Sequence, residues 1–208
     1  VATETVLLET IDGINIEAHL RRTDAFPARA AVIIAHPHPL HGGDSNNHVV
    51  QALQDAAREL ACHSIAIDFR GVGNSGGFFD DGDSERLDLA AACELVDMIE
   101  PDCPIIMAGY SFGALVGLNV TNPWIVGWIA IAPPLSANTN VPIAANNPRP
   151  KLLLTPEHDQ FCTPAQAQTF SAQWNNTELT TLPGIDHFMA VGARTSCIEA
   201  LRTMLTKF

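Results

Sequence analysis

Ser111 stands in Gly109-Tyr110-Ser111-Phe112-Gly113, a G-x-S-x-G pentapeptide with an apolar run on each side of it. The context carries more weight than the match. A serine on a tight turn between a strand and a helix sits in a strained backbone conformation, and glycines two residues to either side let neighbouring segments close in. The turn also presents the Phe112 N–H to an oxygen that gains negative charge when Ser111 attacks a carbonyl. A serine hydroxyl needs a base, and the base needs a carboxylate to orient it. Downstream, Asp159 lies just past the strand-like run Leu152–Thr155, and His187 lies in Pro183-Gly184-Ile185-Asp186-His187-Phe188. Asp186 competes for the orienting role, but a residue adjacent to His187 is badly placed to reach its ring from behind. The residues therefore read as nucleophile Ser111, base His187 and orienting acid Asp159, the chemistry of acyl transfer.

A second oxyanion donor is expected from the loop His36-Pro37-His38-Pro39-Leu40-His41-Gly42-Gly43-Asp44. Pro37 and Pro39 have no N–H to give. His38 and Leu40 remain, and the sequence leaves the choice between them open. His41 and Tyr110 are expected beside them as pocket residues.

These groups need a scaffold that brings distant segments together. Strand-like and helix-like segments alternate along the chain, which predicts an α/β sheet with helices on both faces. Residues 3–10 and 14–21 read as strands joined through Asp12-Gly13, an antiparallel hairpin. Ala30–His36, His63–Phe69, Pro104–Gly109, Ile125–Ala132, Leu152–Thr155 and about Glu178–Leu182 read as further strands. Continuous apolar runs such as AAVIIAH mark strands buried on both faces. Helices are expected from a cap at Asp44 or Ser45 to about Ala61, and from Asp83 or Ser84 to about Glu100. Others are expected over Phe112–Val120, after the capping box Thr163-Pro164-Ala165-Gln166, and from about Met189 to Lys207. Five prolines within residues 133–150 predict an exposed loop there. In a parallel sheet Ser111, Asp159 and His187 would all stand at carboxyl ends of strands, where open α/β sheets place their sites.

Composition narrows the function classes. The 208 residues read as one domain over 1–208. No apolar run approaches the length of a membrane span. With 11 Lys+Arg against 23 Asp+Glu, the formal net charge is −12, which disfavours nucleic acid and anionic lipid as partners. The five cysteines are scattered without a CxxC pair, so buried, reduced thiols and a cytoplasmic setting are expected. Gly71-Val72-Gly73-Asn74-Ser75-Gly76 is a literal G-x-G-x-x-G. No helix opens directly after it, and the acidic stretch Asp80-Asp81-Gly82-Asp83 follows. A structural glycine turn is expected, not a dinucleotide site. His36, His38, His41 and His48 lack a second ligand cluster, so no metal is expected; His36 should bond within the fold. No cofactor is expected either. Cys162 and the three tryptophans read as packing residues.

The chain resembles the α/β-hydrolase superfamily, in particular its small lidless branch of dienelactone-hydrolase-like and serine-aminopeptidase-like proteins. The resemblance covers nearly the whole chain. It rests on His36-Pro37-His38-Pro39-Leu40-x-Gly42-Gly43, on Asp68-Phe69-Arg70-Gly71-Val72-Gly73-Asn74-Ser75, on the GYSFG elbow, and on the surroundings of Asp159 and His187. It implies an α/β-hydrolase fold with a mostly parallel sheet of about eight strands, an N-terminal antiparallel hairpin and no cap domain, since only 133–150 stands where many members insert a helical cap. Many members also have His-Gly where this chain has His36-Pro37. The implied activity is hydrolysis of small carboxylic esters through a Ser-His-Asp triad and an acyl-enzyme. Thioesters, lactones and amides are open to the same triad, and a non-catalytic ligand-binding protein is the alternative of another class. The implied partner is a small-molecule ester, the implied state a monomer or homodimer.

Overall fold

The computed structural model describes residues 2–137 and 140–208. Eight strands form one sheet: β1 (Glu4–Glu9), β2 (Asn15–Arg21), β3 (Ala31–Ala35), β4 (His63–Ile67), β5 (Ile105–Tyr110), β6 (Ile125–Ile131), β7 (Lys151–His158) and β8 (Thr177–Asp186). Their spatial order is β1-β2-β4-β3-β5-β6-β7-β8. The β1–β2 and β2–β4 pairings are antiparallel, and every pairing from β4 through β8 is parallel. This is the expected mostly parallel sheet with its N-terminal hairpin.

The interior strands β3, β4 and β5 are buried along their whole length because helices cover both faces. On β3, Val32 and Ile34 enter one core with Val49 and Leu53 of α1 (His48–Glu59) and Cys197 and Leu201 of α5 (Ala193–Met204). Alternate residues Ala31, Ile33 and Ala35 enter the other core, with Leu89 of α2 (Glu85–Ile99), Ala114 of α3 (Phe112–Gly117) and Ala167 of α4 (Pro164–Ser171). The period-two alternation of a strand thus feeds two separate cores.

Several boundaries differ from the sequence reading, each for a local reason. The cap of α1 is Asn47, whose side chain accepts the Val49 N–H at 3.0 Å. Asp44 instead accepts the Asn46 N–H, and the Ser45 hydroxyl donates to Asp68 at 3.1 Å. Ser84 does hold the N-cap position of α2, but its hydroxyl turns back to Asp80 and makes no cap bond. Helix α5 begins at Ala193 rather than near Met189, because Met189 and Gly192 are both left-handed (φ 51° and 81°). Strand β8 runs on to Asp186 and β7 to His158, paired far beyond the short apolar runs, on residues that are largely exposed. Segment 133–150 is not simply exposed. It carries short 3₁₀ turns at Leu135–Ala137 and Ile143–Asn146, and Ala144 and Ala145 are buried. Its Ala144 N–H donates to Leu118 O at 3.0 Å and its Ala145 carbonyl accepts from Asn175 N at 2.8 Å.

The glycine-rich stretch after β4 closes on itself as a turn, with the Gly71 N–H donating to Gly76 O at 2.9 Å. Arg70 anchors that turn to α2. Its backbone N–H and its Nε and Nη2 all donate to the fully buried Asp88 carboxylate, at 2.9, 3.0 and 2.7 Å. Its Nη1 reaches Asp12 at 2.9 Å, and this guanidinium is the main cause holding the Asp12 carboxyl down to about 2. Several hydrogen bonds to one buried ion pair offset the cost of desolvating it. Among the described residues no helix is long and apolar enough to cross a membrane. All five cysteines are buried and unpaired, and burial pushes the thiols of Cys62, Cys93 and Cys197 up to about 11, 12 and 12. Thiols in such surroundings are inert as nucleophiles.

Candidate active site

The carboxyl ends of the parallel strands carry the groups singled out above. Ser111 follows β5 directly and adopts φ 53°, ψ −119°, a left-handed conformation that a side-chain-bearing residue holds only under constraint. The constraint is visible in the two flanking glycines. A Cβ at Gly109 would fall 2.4 Å from Gly113 O, and one at Gly113 would fall 2.4 Å from both Ala35 O and His36 O. The backbones of β5, α3 and the end of β3 therefore touch without intervening side chains. The Ser111 N–H is fixed in turn by Ile131 O of β6 at 2.8 Å.

Asp159 and His187 arrive from the ends of β7 and β8, brought level by the pairing of His158 with Asp186. The Ser111 Oγ lies 2.9 Å from His187 Nε2, and His187 Nδ1 lies 2.8 Å from Asp159 Oδ2. Both His187 and Asp159 are buried. The second oxygen of Asp159 accepts the N–H groups of Phe161 at 2.8 Å and Cys162 at 3.0 Å, so the carboxylate cannot swing away from the ring. Asp186, the competing acid, instead accepts the Phe188 N–H at 3.1 Å.

Two further side chains grip the backbone of the His187 loop. The Tyr110 hydroxyl donates to His187 O at 2.8 Å. Burial, seconded by the charges of Asp159 and Asp186, pushes that phenol up to about 12, which keeps it a donor at neutral pH. His48 Nε2 lies 3.1 Å from Met189 O. Tyr110 was expected as a pocket residue, and it lines the cavity as well; His48 carried no such expectation, and only its place among the four histidines marked it.

In the loop after β3 the histidines part company. His36 is buried; its Nδ1–H donates to Pro37 O at 2.6 Å and its Nε2 accepts the Phe69 N–H at 3.0 Å. Burial holds its pKa below 6.5. His38 and His41 meet edge to face, with ring centroids 4.6 Å apart. Burial, then the neighbouring His41, holds the His38 imidazole down as well. His38 Nδ1 accepts the Leu40 N–H at 3.2 Å. Leu40 is itself 71 % exposed and is not among the residues that line the cavity. Among the described residues no acceptor engages the N–H of His38 or of Phe112.

Ser111 and His187 open into a cavity of about 1050 Å³. His38, His41, Tyr110 and Phe112 line it, as does His48. So do residues that sequence reasoning did not select. Phe161 and Phe188, each next to a loop that supplies Asp159 or His187, flank the His187 ring at centroid distances of 4.5 and 5.8 Å. Pro134, Ala137 and Ile143 show that segment 133–150 forms part of the wall. Among the described residues one further group could hold a cation, Glu17, His19 and Asp68, at the antiparallel end of the sheet. Its ligand atoms are already engaged: Asp68 accepts from Ser45 N at 2.7 Å and lies 3.3 Å from His19 Nε2, and Glu17 accepts from Asn74 Nδ2 at 2.9 Å.

This fold, with a serine on a strand-to-helix turn facing a histidine and an acid from later strands, defines an α/β hydrolase. Residues 32–158 match the alpha/beta hydrolase family, and the chain belongs to that family. Its structure is similar to that of an alpha-beta serine hydrolase homologue from Coxiella burnetii, 30 % identical, with 99 % of this chain and 97 % of that one covered and a TM-score of 0.82. It is also similar to a serine hydrolase without lid from Xanthomonas campestris, 26 % identical, covering 97 % and 94 % of the two chains with a TM-score of 0.84. An uncharacterized protein from Rickettsia prowazekii is 28 % identical over 173 residues, 78 % of this chain and 73 % of that one. The lidless likeness agrees with a short β6–β7 connection in place of a cap domain.

Proposed function

We propose that the chain is a serine hydrolase that cleaves small carboxylic esters through an acyl-enzyme. The observation that carries this reading is the unbroken hydrogen-bond chain from Ser111 Oγ through His187 to Asp159, 2.9 and 2.8 Å long, at the floor of an open cavity. Asp159 accepts a hydrogen bond from the His187 Nδ1–H, which leaves Nε2 as the acceptor for the Ser111 hydroxyl. Ser111 Oγ attacks the ester carbonyl carbon as its proton passes to Nε2. The oxyanion is met by the N–H groups of Phe112 and His38. His38 is preferred to Leu40 because the Leu40 N–H is already bonded to the His38 ring. The tetrahedral intermediate collapses, His187 protonates the departing alkoxide, and Ser111 is left acylated. His187 then takes a proton from water as its oxygen attacks the acyl carbon; the second tetrahedral intermediate collapses, the bond to Ser111 Oγ breaks as His187 returns the proton to it, and the acid leaves. Thioesters, lactones and amides can enter the same steps.

The test is intact mass after fluorophosphonate treatment of the protein and of Ser111→Ala, beside a series of 4-nitrophenyl esters of rising chain length. One adduct, absent from the variant, and a loss of turnover of about 10⁴-fold or more on substitution are expected. Absence of both adduct and turnover in the parent protein overturns the reading in favour of ligand binding.

A further inference from the structure

The sheet order divides the cavity. Ser111 follows β5; the loops after β3 and β4 lie to one side of it, and those after β6, β7 and β8 lie to the other. On the second side the lining is apolar apart from His187 and Asn140, with Pro134, Ile143, Phe161 and Phe188. Every carboxylate and the one guanidinium among the described lining residues lie on the first side: Asp81, Asp83 and Arg86. Arg86 Nη2 is spent on Asp83, 2.5 Å away. That leaves Asp81 as the uncompensated charge, since among the described residues no hydrogen bond or ion pair engages its carboxylate. Its charge is felt at His38, where it opposes the effect of burial.

Asp81 is also held where it stands. Its backbone is left-handed, φ 52°. The fully buried Glu85 carboxylate brackets it, accepting the N–H of Asp80 at 2.7 Å and of Gly82 at 2.8 Å. A Cβ added at Gly82 would sit 3.6 Å from the Phe112 ring, so this loop rests against the turn that bears Ser111. Asp81 is thus a charged residue held in a sparsely populated conformation by a buried clamp at the wall of the cavity.

We propose that Asp81 makes the site charge-selective, so that it takes esters whose polar arm is neutral or cationic and turns away esters bearing a second anionic group. The proposal rests on the hydrolase reading above. An open cleft whose lining carries a net negative charge focuses its field on whatever enters, with effects of about tenfold or more on productive encounter at low ionic strength. The net charge of −12 acts in the same direction.

Acetylcholine, its neutral isostere 3,3-dimethylbutyl acetate and the anionic 3-acetoxypropanesulfonate provide the test, followed by pH-stat at low salt. All three give the same acetyl-enzyme, so differences in kcat/KM report acylation alone. The expected order is cation at or above neutral, with the anion about tenfold or more below. Half-molar salt should shrink the gap, because it screens exposed charges. In Asp81→Asn and Asp81→Gly the ratio of neutral to anionic kcat/KM should fall to within about threefold; glycine additionally relieves the left-handed backbone, so one of the two keeps the loop intact. Equal use of the neutral and anionic acetates by the parent protein, or an unchanged ratio in both variants, overturns the proposal while leaving the hydrolase reading in place. No turnover of any acetate together with no fluorophosphonate adduct overturns both.

Discussion

Gly113→Ala tests how the proposed nucleophile is positioned. The new Cβ would stand 2.4 Å from Ala35 O and from His36 O, whereas Cβ contacts below 3.0 Å essentially never occur. Neither neighbour is a flexible side chain, so α3 and the end of β3 must part by about 0.6 Å or more, most of the 1 Å misplacement that costs a catalytic centre about 100-fold. Phe112 and Ser111 ride on one of these backbones and His38 on the other. The separation therefore stretches the 2.9 Å contact of Ser111 with His187 and splays the two N–H groups that face the oxyanion. The expected result is a fall in kcat of about 10- to 100-fold with KM little changed, because the apolar wall at Phe161 and Phe188 is untouched. Overpacking of this kind costs about 1–3 kcal/mol, a few degrees in melting temperature for a chain of this size. Steady-state kinetics on 4-nitrophenyl acetate, the second-order rate of fluorophosphonate labelling and a thermal melt read the three effects separately. Turnover and labelling within twofold of the parent protein, in a variant that melts cooperatively, would refute the reasoning: the contact would then yield without moving Ser111.

Tyr110→Phe keeps the ring in the core and removes only the bond to His187 O. Steady-state kinetics should show kcat lower by about 3- to 10-fold at similar KM, with about 1 kcal/mol lost from stability; an unchanged kcat would mean that the His187 backbone holds itself. His36 makes stability depend on pH. Its folded-state pKa lies below the ordinary 6.5 because the ring is buried, so above that value it is neutral in both states and contributes no pH dependence. As pH falls below 6.5 the unfolded chain takes up a proton that the folded protein resists, and stability falls with it. Melting temperatures from pH 8 to pH 5 should therefore drop more steeply for the parent protein than for His36→Gln, which retains an acceptor for the Phe69 N–H; equal slopes would remove His36 from the account.

Much of this was legible in the residue pattern, and the part that was not has a common cause. Ser111 and Asp159 could be picked out because each follows a short apolar run, and such runs mark interior strands; His187 was picked out by its place past the last strand, after the serine and the acid in chain order. The extension of β7 and β8 to His158 and Asp186 left no such mark, since those residues pair through backbone bonds while their side chains face solvent. Hydrogen-bond ladders carry no sequence signature of their own. The capping box at Thr163 and Gln166 is present, but the α1 cap was missed for a similar reason. Asp44, Ser45 and Asn47 are all good capping residues, and the choice was made at a distance, by an Asp68 carboxylate that claims Ser45. For the oxyanion loop, the sequence could eliminate the prolines but could not see that the His38 ring would occupy the Leu40 N–H. The wall residues Asp81, Phe161 and Phe188 belong to loops whose local pattern is merely polar or irregular, and only their shared cavity relates them.

Two residues that line the cavity, Ser111 at φ 53° and Asp81 at 52°, and Met189 at 51°, buried behind the His187 loop, carry side chains in left-handed conformations. Each costs folding free energy of about 1 kcal/mol or more, and such conformations persist only where the surroundings over-determine them. The means differ at each. At Ser111 two glycines permit backbone contact from both sides. Near Asp81 a buried glutamate accepts both neighbouring N–H groups. At Met189 the side chain is fully buried and the carbonyl lies 3.1 Å from His48 Nε2. The supports come from separate elements: β3 and β5 for the first, α2 for the second, α1 for the third. The relative placement of nucleophile, charged wall and His187 loop is thus referred to the sheet and its covering helices as well as to contacts among the loops. That makes the site rigid while it stays open to solvent, and a lidless hydrolase needs both, because no closing segment will complete its geometry after substrate arrives.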